Sequence, residues 1–379
     1  MTRIMISCGE PSGDLYAGAL TTALRAACPD VDVFGFGGAH LRAAGGRLIG
    51  DYHGLAVTGL TEAIGIIPQS LRMLRRLTDA ARETRPDALV VIDFPDFNFH
   101  LLAKIKRMGV PVVYYVTPQI WAWRQGRMKT IQRYVDRALP IFPFEEVLYQ
   151  RAGVDVRFVG HPLVDMAVAG TPREAVLAEA GLDPARPTVA LLPGSRANEL
   201  HQLLPVIAEA VPQIRAAVPA VQFLVACAPN LDAAAFAPLA ALLPPASFVT
   251  GRADDVLAAS DVVVTASGTA TVQAALHTRP MVVLYKLSPL TYALGKPFVK
   301  VQTYAMANLV AGARVVPELI QDACTPERVA AETVSLLTDR DRWSTMQARL
   351  AETRARLGPP GASARAAEAV LEVASCNRH

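Results

Sequence analysis

Two stretches of this chain end an apolar run in the same way, and together they restrict what it can fold into. Residues 189–192, Val-Ala-Leu-Leu, stop at Pro193-Gly194, and Ser195-Arg196 follow before a helix-compatible stretch that opens at residue 197. Residues 262–264, Val-Val-Val, lead through Thr265-Ala266 into Ser267-Gly268-Thr269 and then a helix-compatible stretch at 270–276. A short continuous apolar run closed by a glycine turn reads as a buried strand of a parallel sheet. The glycine lets backbone approach a ligand closely, the hydroxyl and the guanidinium fork bind it, and the helix N-terminus favours an anion. Residues 191–196 alone read equally well as a strand-to-helix turn with a surface arginine. Two such turns in one half of the chain predict that Gly194, Ser195 and Arg196, with Ser267, Gly268 and Thr269, hold two ends of one diphosphate-bearing ligand.

The alternation of strand, turn and helix extends over the whole sequence. Strands are expected near 3–7, 33–36, 88–92, 112–116 and 138–142, and again near 188–192, 222–226, 247–249, 261–265 and 281–285. The expected class is α/β, with two Rossmann-like domains whose open parallel sheets face each other across a cleft. A chain of 379 residues exceeds what one core usually supports. With 52% hydrophobic and 19% charged residues it is not disordered, yet no apolar run reaches the ~20 residues of a membrane span. A net charge of +3 gives no reason to expect nucleic acid. The opening Met-Thr-Arg-Ile-Met-Ile passes straight into Ser7-Cys8-Gly9-Glu10, too short and polar for a signal peptide, so a cytoplasmic location is expected. The five cysteines lack metal-like spacing and read as free thiols; neither metal nor cofactor is expected.

In the first half the chemistry gathers after the strands. Residues 9–14, Gly-Glu-Pro-Ser-Gly-Asp, lack dinucleotide spacing, and Glu10 and Asp14 would repel a diphosphate. That loop reads as meeting sugar hydroxyls, or as capping its helix through Ser12 or Asp14. Residues 92–98, Ile-Asp-Phe-Pro-Asp-Phe-Asn, place two carboxylates and an amide among aromatic residues. Asp93, next to the strand, is the candidate base; Asp96 and Asn98 read equally as caps. Trp121, Trp123, Arg124 and Arg127 suit either sugar stacking and phosphate or plain packing. His161, at a glycine–proline hinge, reads as a donor contact or as structural. Asn308, in an apolar stretch, needs a backbone or ligand partner.

Residues 55–68 are dense in aliphatics and lead into arginine-flanked apolar residues at helical spacing. They read as a core-facing helix, or as a peripheral membrane surface on which Ile64, Ile66, Ile67 and Leu71 admit acyl chains and Arg72 meets anionic head groups. The tail, 339–375, is helical with a break at Gly358-Pro359-Pro360-Gly361. The expected division is 1–165, 166–345 and 346–379, the last part crossing back onto the first domain.

The motifs at 9–14 and 92–98, Trp-Ala-Trp-Arg at 121–124, Phe-Val-Gly-His-Pro at 158–162, Leu-Pro-Gly-Ser-Arg at 192–196, Ser-Gly-Thr-Ala at 267–270 and Val-Pro-Glu-Leu at 316–319 occur together in an order that resembles the lipid-A-disaccharide synthase family. The resemblance implies a GT-B, inverting, metal-independent glycosyltransferase. It would move 2,3-diacylglucosamine from UDP-2,3-diacylglucosamine to 2,3-diacylglucosamine 1-phosphate at the cytoplasmic face of the inner membrane, with a homodimer left open. It implies active-site roles for Asp93, Glu10 and Asn308, while Arg196 and the helix starts after Gly194 and Gly268 are the groups available to neutralise the leaving diphosphate. One departure stands out: Gln273 occupies a position where the family carries a glutamate for the donor's ribose hydroxyls, a change worth ~1–3 kcal/mol if a charge-assisted bond is lost. Ala307 likewise replaces the family's proline before Asn308. The competing expectations are a UDP-sugar epimerase on the same architecture and a paralogue that binds UDP-acyl-sugars without turnover.

Overall fold

The structure, a computed structural model, describes residues 1–52, 60–121, 125–288, 292 and 303–376. The chain divides into two compact units, Met1–Val164 with Leu357–His379, and Asp165–Lys296 with Val301–Arg356. Each is built on a six-stranded parallel sheet.

The first sheet contains β1 (Arg3–Cys8), β2 (Asp32–Gly37), β3 (Arg47–Asp51), β4 (Ala88–Ile92), β5 (Val112–Tyr115) and β6 (Arg137–Leu139), in the order β3-β2-β1-β4-β5-β6. The second contains β7 (Thr188–Leu192), β8 (Gln222–Cys227), β9 (Phe248–Thr250), β10 (Val262–Ala266), β11 (Met281–Tyr285) and β12 (Glu318–Ile320), in the order β12-β11-β10-β7-β8-β9. Counted from each unit's first strand, the two orders are the same, and each reverses direction beside that first strand. The switch points lie between β1 and β4 and between β7 and β10, where an open parallel sheet leaves a crevice at its carboxyl edge. The central strands β4, β7 and β10 are buried along their whole length, because helices cover both faces.

Ten of these strands coincide with apolar runs. The outer strands β3 and β12 lack that signal: β3 is half-buried, and β12 is three residues long and follows Pro317. Edge pairing supplies what local pattern does not.

The helix Leu60–Thr84 runs through Pro68 instead of beginning after it. It buries Met73, Leu74 and Leu77 against the first core and exposes Ile67 and Leu71, each 52% accessible. The helix Arg340–Arg356 stays with the second unit, because Met346 and Leu350 enter its core and Trp343 Nε1 donates to Asp261 O at 2.9 Å. The last helix, Ala362–Cys376, alone returns to the first unit, packing an alanine-rich face on the helix Pro11–Ala27. Arg157 there pairs with Glu368 at 2.9 Å and with Glu372. All five cysteines are free. Among the described residues no helix is long and apolar enough to cross a membrane, and no group of three His, Cys, Asp or Glu is placed to hold a metal ion.

Candidate active site

In the first unit, β1 and β4 pair in register up to Cys8 and Ile92, so Gly9 and Asp93 leave the sheet side by side at the switch point. The turn after β4 is strained: Asp93 and Phe94 have φ of 45° and 48°, and Val116 at the end of β5 has 55°. Left-handed backbone costs about 1–3 kcal/mol for a non-glycine residue, and it persists only where neighbours hold it. Here Asp93 N donates to Val116 O at 3.3 Å, while Asp93 O accepts from Asn98 Nδ2 at 2.8 Å and Tyr114 Oη at 3.1 Å. The Phe94 ring stacks on Phe97, which stacks on Phe36. Its other side lies on Gly9, where a Cβ would come within 2.1 Å of Phe94 Cδ1. The first glycine of the 9–14 motif therefore makes room for the ring that sets the Asp93 turn.

The remaining first-unit candidates separate by what they touch. Asn98 is fully buried and ties β1 to β4, accepting from Ser7 Oγ at 2.7 Å and donating to Ser7 O and Asp93 O, so it caps nothing. Asp96 is exposed and pairs with Arg127, whose guanidinium also lies 5.1 Å over the Phe99 ring. Asp14 does not cap its own helix. Its buried carboxylate accepts N–H bonds from Gly38, His40 and Leu41 at 2.7, 2.9 and 3.1 Å, and so closes the start of the helix Ala39–Ala43. Glu10 is the N-cap residue of the helix Pro11–Ala27, partly buried, with no side-chain cap bond.

His161 is buried between Tyr16 and Phe142, accepts from Leu163 N at 3.2 Å, and burial pushes its pKa down to about 3; it is a neutral packing group. Trp121 Nε1 donates to Glu145 Oε1 at 3.0 Å. Glu145 is itself buried, accepts from Thr117 Oγ1 at 3.3 Å, and is pushed up to about 8, chiefly by burial. Reading the sequence missed Glu145, although a glutamate after Ile-Phe-Pro-Phe was a signal that could have found it. Trp123, Arg124 and the side chains of Ile64 and Ile66 lie outside the described residues. Arg72, next to Leu71, is exposed.

The second unit's switch point carries the other pair of turns. Gly194 has φ of 128° and Gly268 has 146°, values that exclude side chains with a Cβ. Arg196 is the N-cap residue of the helix Ala197–Ala217, and Gly268 that of the helix Thr269–Leu276. Ser195 and Arg196 are exposed. In the first turn of the helix Ala197–Ala217 lies a group that the sequence reading passed over: Glu199 accepts from Ser195 N at 3.0 Å and pairs with Arg196 Nη1 at 3.1 Å. Its signal was the spacing of a capping box, an acid three residues after the N-cap.

Ser267 Oγ donates to Tyr304 O at 3.0 Å. Asn308 is buried, with both ends of its amide engaged: Nδ2 donates to Val316 O and Glu318 Oε1, and Oδ1 accepts from Val315 N and Val316 N, all within 3.0 Å. Glu318, a second missed residue, also accepts from Ala305 N at 2.8 Å and from Tyr304 N. Asn308 and Glu318 thus form one buried clamp that holds the 304–305 turn. Gln273 donates through Nε2 to both oxygens of Asp254, at 3.3 and 3.2 Å.

Two Rossmann-like units of identical strand order, each with its ligand-type turns at the switch point, define an α/β fold of the GT-B class. Solved structures agree. The calicheamicin glycosyltransferase CalG4 superposes with a TM-score of 0.64 at 17% identity, covering 99% of this chain and 98% of its own. A UDP-GlcNAc 2-epimerase from Neisseria meningitidis, bound to UDP-GlcNAc, superposes with 0.69 at 13% identity, covering 98% and 100%. At those identities the likeness concerns the fold alone.

Sequence carries the relationship further. The lipid-A-disaccharide synthetase family model matches residues 4–373. Lipid-A-disaccharide synthases from Myxococcus xanthus and Anaeromyxobacter dehalogenans are 46% and 48% identical to it, each over 98% of this chain and 97% of their own. The chain belongs to the lipid-A-disaccharide synthase family and is a glycosyltransferase of lipid A biosynthesis. The epimerase alternative is not favoured, since the epimerases share the fold at 13–14% identity whereas the synthases share nearly half of their residues.

Proposed function

We propose that this chain transfers 2,3-diacylglucosamine from UDP-2,3-diacylglucosamine to the 6-hydroxyl of 2,3-diacylglucosamine 1-phosphate, releasing UDP and a β-1,6-linked acylated disaccharide phosphate. The observation that carries the reading is the Asp93 turn, where strained backbone at the switch point is held by three hydrogen bonds to residue 93.

In this mechanism Asp93 accepts the proton of the attacking hydroxyl, so that an alkoxide-like oxygen reaches the anomeric carbon as the bond to the diphosphate breaks on the opposite face. Glu10, emerging beside it, meets sugar hydroxyls. Negative charge grows on the leaving diphosphate. Arg196, the Ser195 N–H and the helix start after Gly268 stabilise it. Asn308 works at one remove, through its clamp with Glu318. Acyl chains enter along the helix Leu60–Thr84, whose exposed Ile67 and Leu71 lie one turn apart beside Arg72 and Arg75, a surface suited to an anionic membrane.

The test is a transfer assay with purified full-length chain and both acylated sugars, following disaccharide and UDP. Equal amounts of the two products are expected. Release of an epimerised UDP-sugar without acceptor, or saturable donor binding with no product, would overturn the reading.

A further inference from the structure

The turn that carries Asp93 leans on a second strained residue. Val116 is β-branched and yet has φ of 55°, a conformation such a side chain adopts only where its surroundings impose it. Its carbonyl accepts the Asp93 N–H at 3.3 Å, and its own N–H donates to Leu139 O at 3.1 Å. Those bonds tie Val116 to the neighbouring strands. The segment that follows it is held from a different element, the helix Pro143–Arg151, which comes after β6.

Glu145, buried in the first turn of that helix, engages both ends of the segment: Oε2 meets the Thr117 hydroxyl at 3.3 Å and Oε1 the Trp121 indole N–H at 3.0 Å. One turn further on, the Tyr149 hydroxyl donates to Pro118 O at 3.4 Å. A carboxyl in such a place is costly to bury, and among the described residues no cation pairs with it. Asp93 is near enough to act on it electrostatically. Holding Thr117 and Trp121 at a fixed span requires a side chain with two polar ends. The neutral acid supplies them without setting a second negative charge beside Asp93.

Resting on the reading of Asp93 as the base, we propose that Glu145 is a positioning residue for it, acting through Thr117 and the Val116 carbonyl. Glu145 takes no proton from substrate; it fixes the backbone on which the Asp93 turn is hung.

The experiment measures kcat and KM of the transfer reaction at neutral pH with the full-length chain, for Thr117→Val, Glu145→Leu, the two combined, and Glu145→Gln, with a melting curve for each. Thr117→Val keeps the shape and removes the hydroxyl. Its kcat is expected to fall about tenfold with KM for both acylated sugars within about twofold, as a displaced base would give and lost binding would not. Glu145→Leu is expected to lower kcat about 10- to 100-fold, and adding Thr117→Val to it costs less than about twofold more, because one chain of contacts is cut twice. Glu145→Gln, whose amide accepts from the indole and donates to Thr117, restores kcat to within about threefold of wild type. Should Glu145→Leu fail to fold, Thr117→Val and Glu145→Gln decide the matter between them. Wild-type kcat in folded Thr117→Val, losses that multiply in the combined variant, or a Glu145→Gln as slow as Glu145→Leu overturns the assignment alone, provided that Asp93→Asn is inactive. Turnover retained in Asp93→Asn overturns the base reading and this assignment with it.

Discussion

The carboxylate of Glu199 accepts the backbone N–H of Ser195 at 3.0 Å and pairs with the Arg196 guanidinium at 3.1 Å, so the chain's own side chain sits on two of the groups assigned to the leaving diphosphate. Gly194 shows how close this packing is, since a Cβ there would lie 2.5 Å from Glu199 Oε2. An acid in that place competes with a phosphate for the same donors. Glu199→Gln is expected to tighten UDP binding by about three- to tenfold, the ~1 kcal/mol scale of a partly exposed charge interaction. Calorimetry at low and physiological salt checks this. Weaker binding would mean that Glu199 aligns Arg196 for the ligand.

Asp93→Asn keeps the turn, because the hydrogen bonds that hold it are made by backbone atoms of residue 93. Turnover is expected to fall by about 10²–10⁴, while UDP affinity stays within about twofold. Equal losses in turnover and binding would remove Asp93 from the base role.

Gly9→Ala drives a methyl group into the Phe94 ring. Overpacking of this kind costs about 1–3 kcal/mol, and here it also displaces the Asp93 turn, so activity falls with stability. Adding Phe94→Leu is expected to restore stability but not activity. Thermal unfolding of the single and double variants separates the two effects.

Two buried groups give the first unit opposite responses to pH. The folded chain keeps Glu145 protonated up to about 8, whereas the unfolded chain releases that proton near 4.5, so this group's contribution declines as pH rises between those values. His161 resists protonation down to about 3 when folded but takes a proton near 6.5 when unfolded, so its contribution declines as pH falls through that window. Relative to wild type, Glu145→Gln should therefore gain more than about 4 °C in melting temperature between pH 5 and 8. His161→Gln should gain on wild type in the opposite direction, from pH 7 down to 4.5. A flat difference for either variant would contradict the assigned state of that group.

Ile67→Ser with Leu71→Ser removes two aliphatics that, among the described residues, the helix Leu60–Thr84 exposes one turn apart. Each buried aliphatic contributes at least ~1.5 kcal/mol, so partitioning onto anionic vesicles is expected to fall at least about tenfold with melting temperature unchanged. Undiminished sedimentation with vesicles would count against a membrane role for this face.

Much of this was legible along the chain itself. Apolar runs closed by glycine and hydroxyl residues located ten strands and all four switch-point turns, because strand burial and turn chemistry are local properties. The edge strands β3 and β12 were not legible, because β3 is only half-buried and β12 is three residues long, and both become strands only by pairing with β2 and β11. Nor could residue order say that Asp14 closes the start of the next helix, or that Asn98 spans β1 and β4.

What the sequence determined by itself was therefore the repeated strand–turn–helix unit, the residues placed at each turn, and the family to which their joint order points. Tertiary structure decided which of those polar groups face inward and which face a ligand edge. Asn308 is consumed by Glu318 and the 315–316 backbone, Gln273 turns toward Asp254, and Glu199 folds back onto Ser195. The physical reason is that a polar side chain leaving water must find a partner, and that partner is fixed by which elements the sheet brings together.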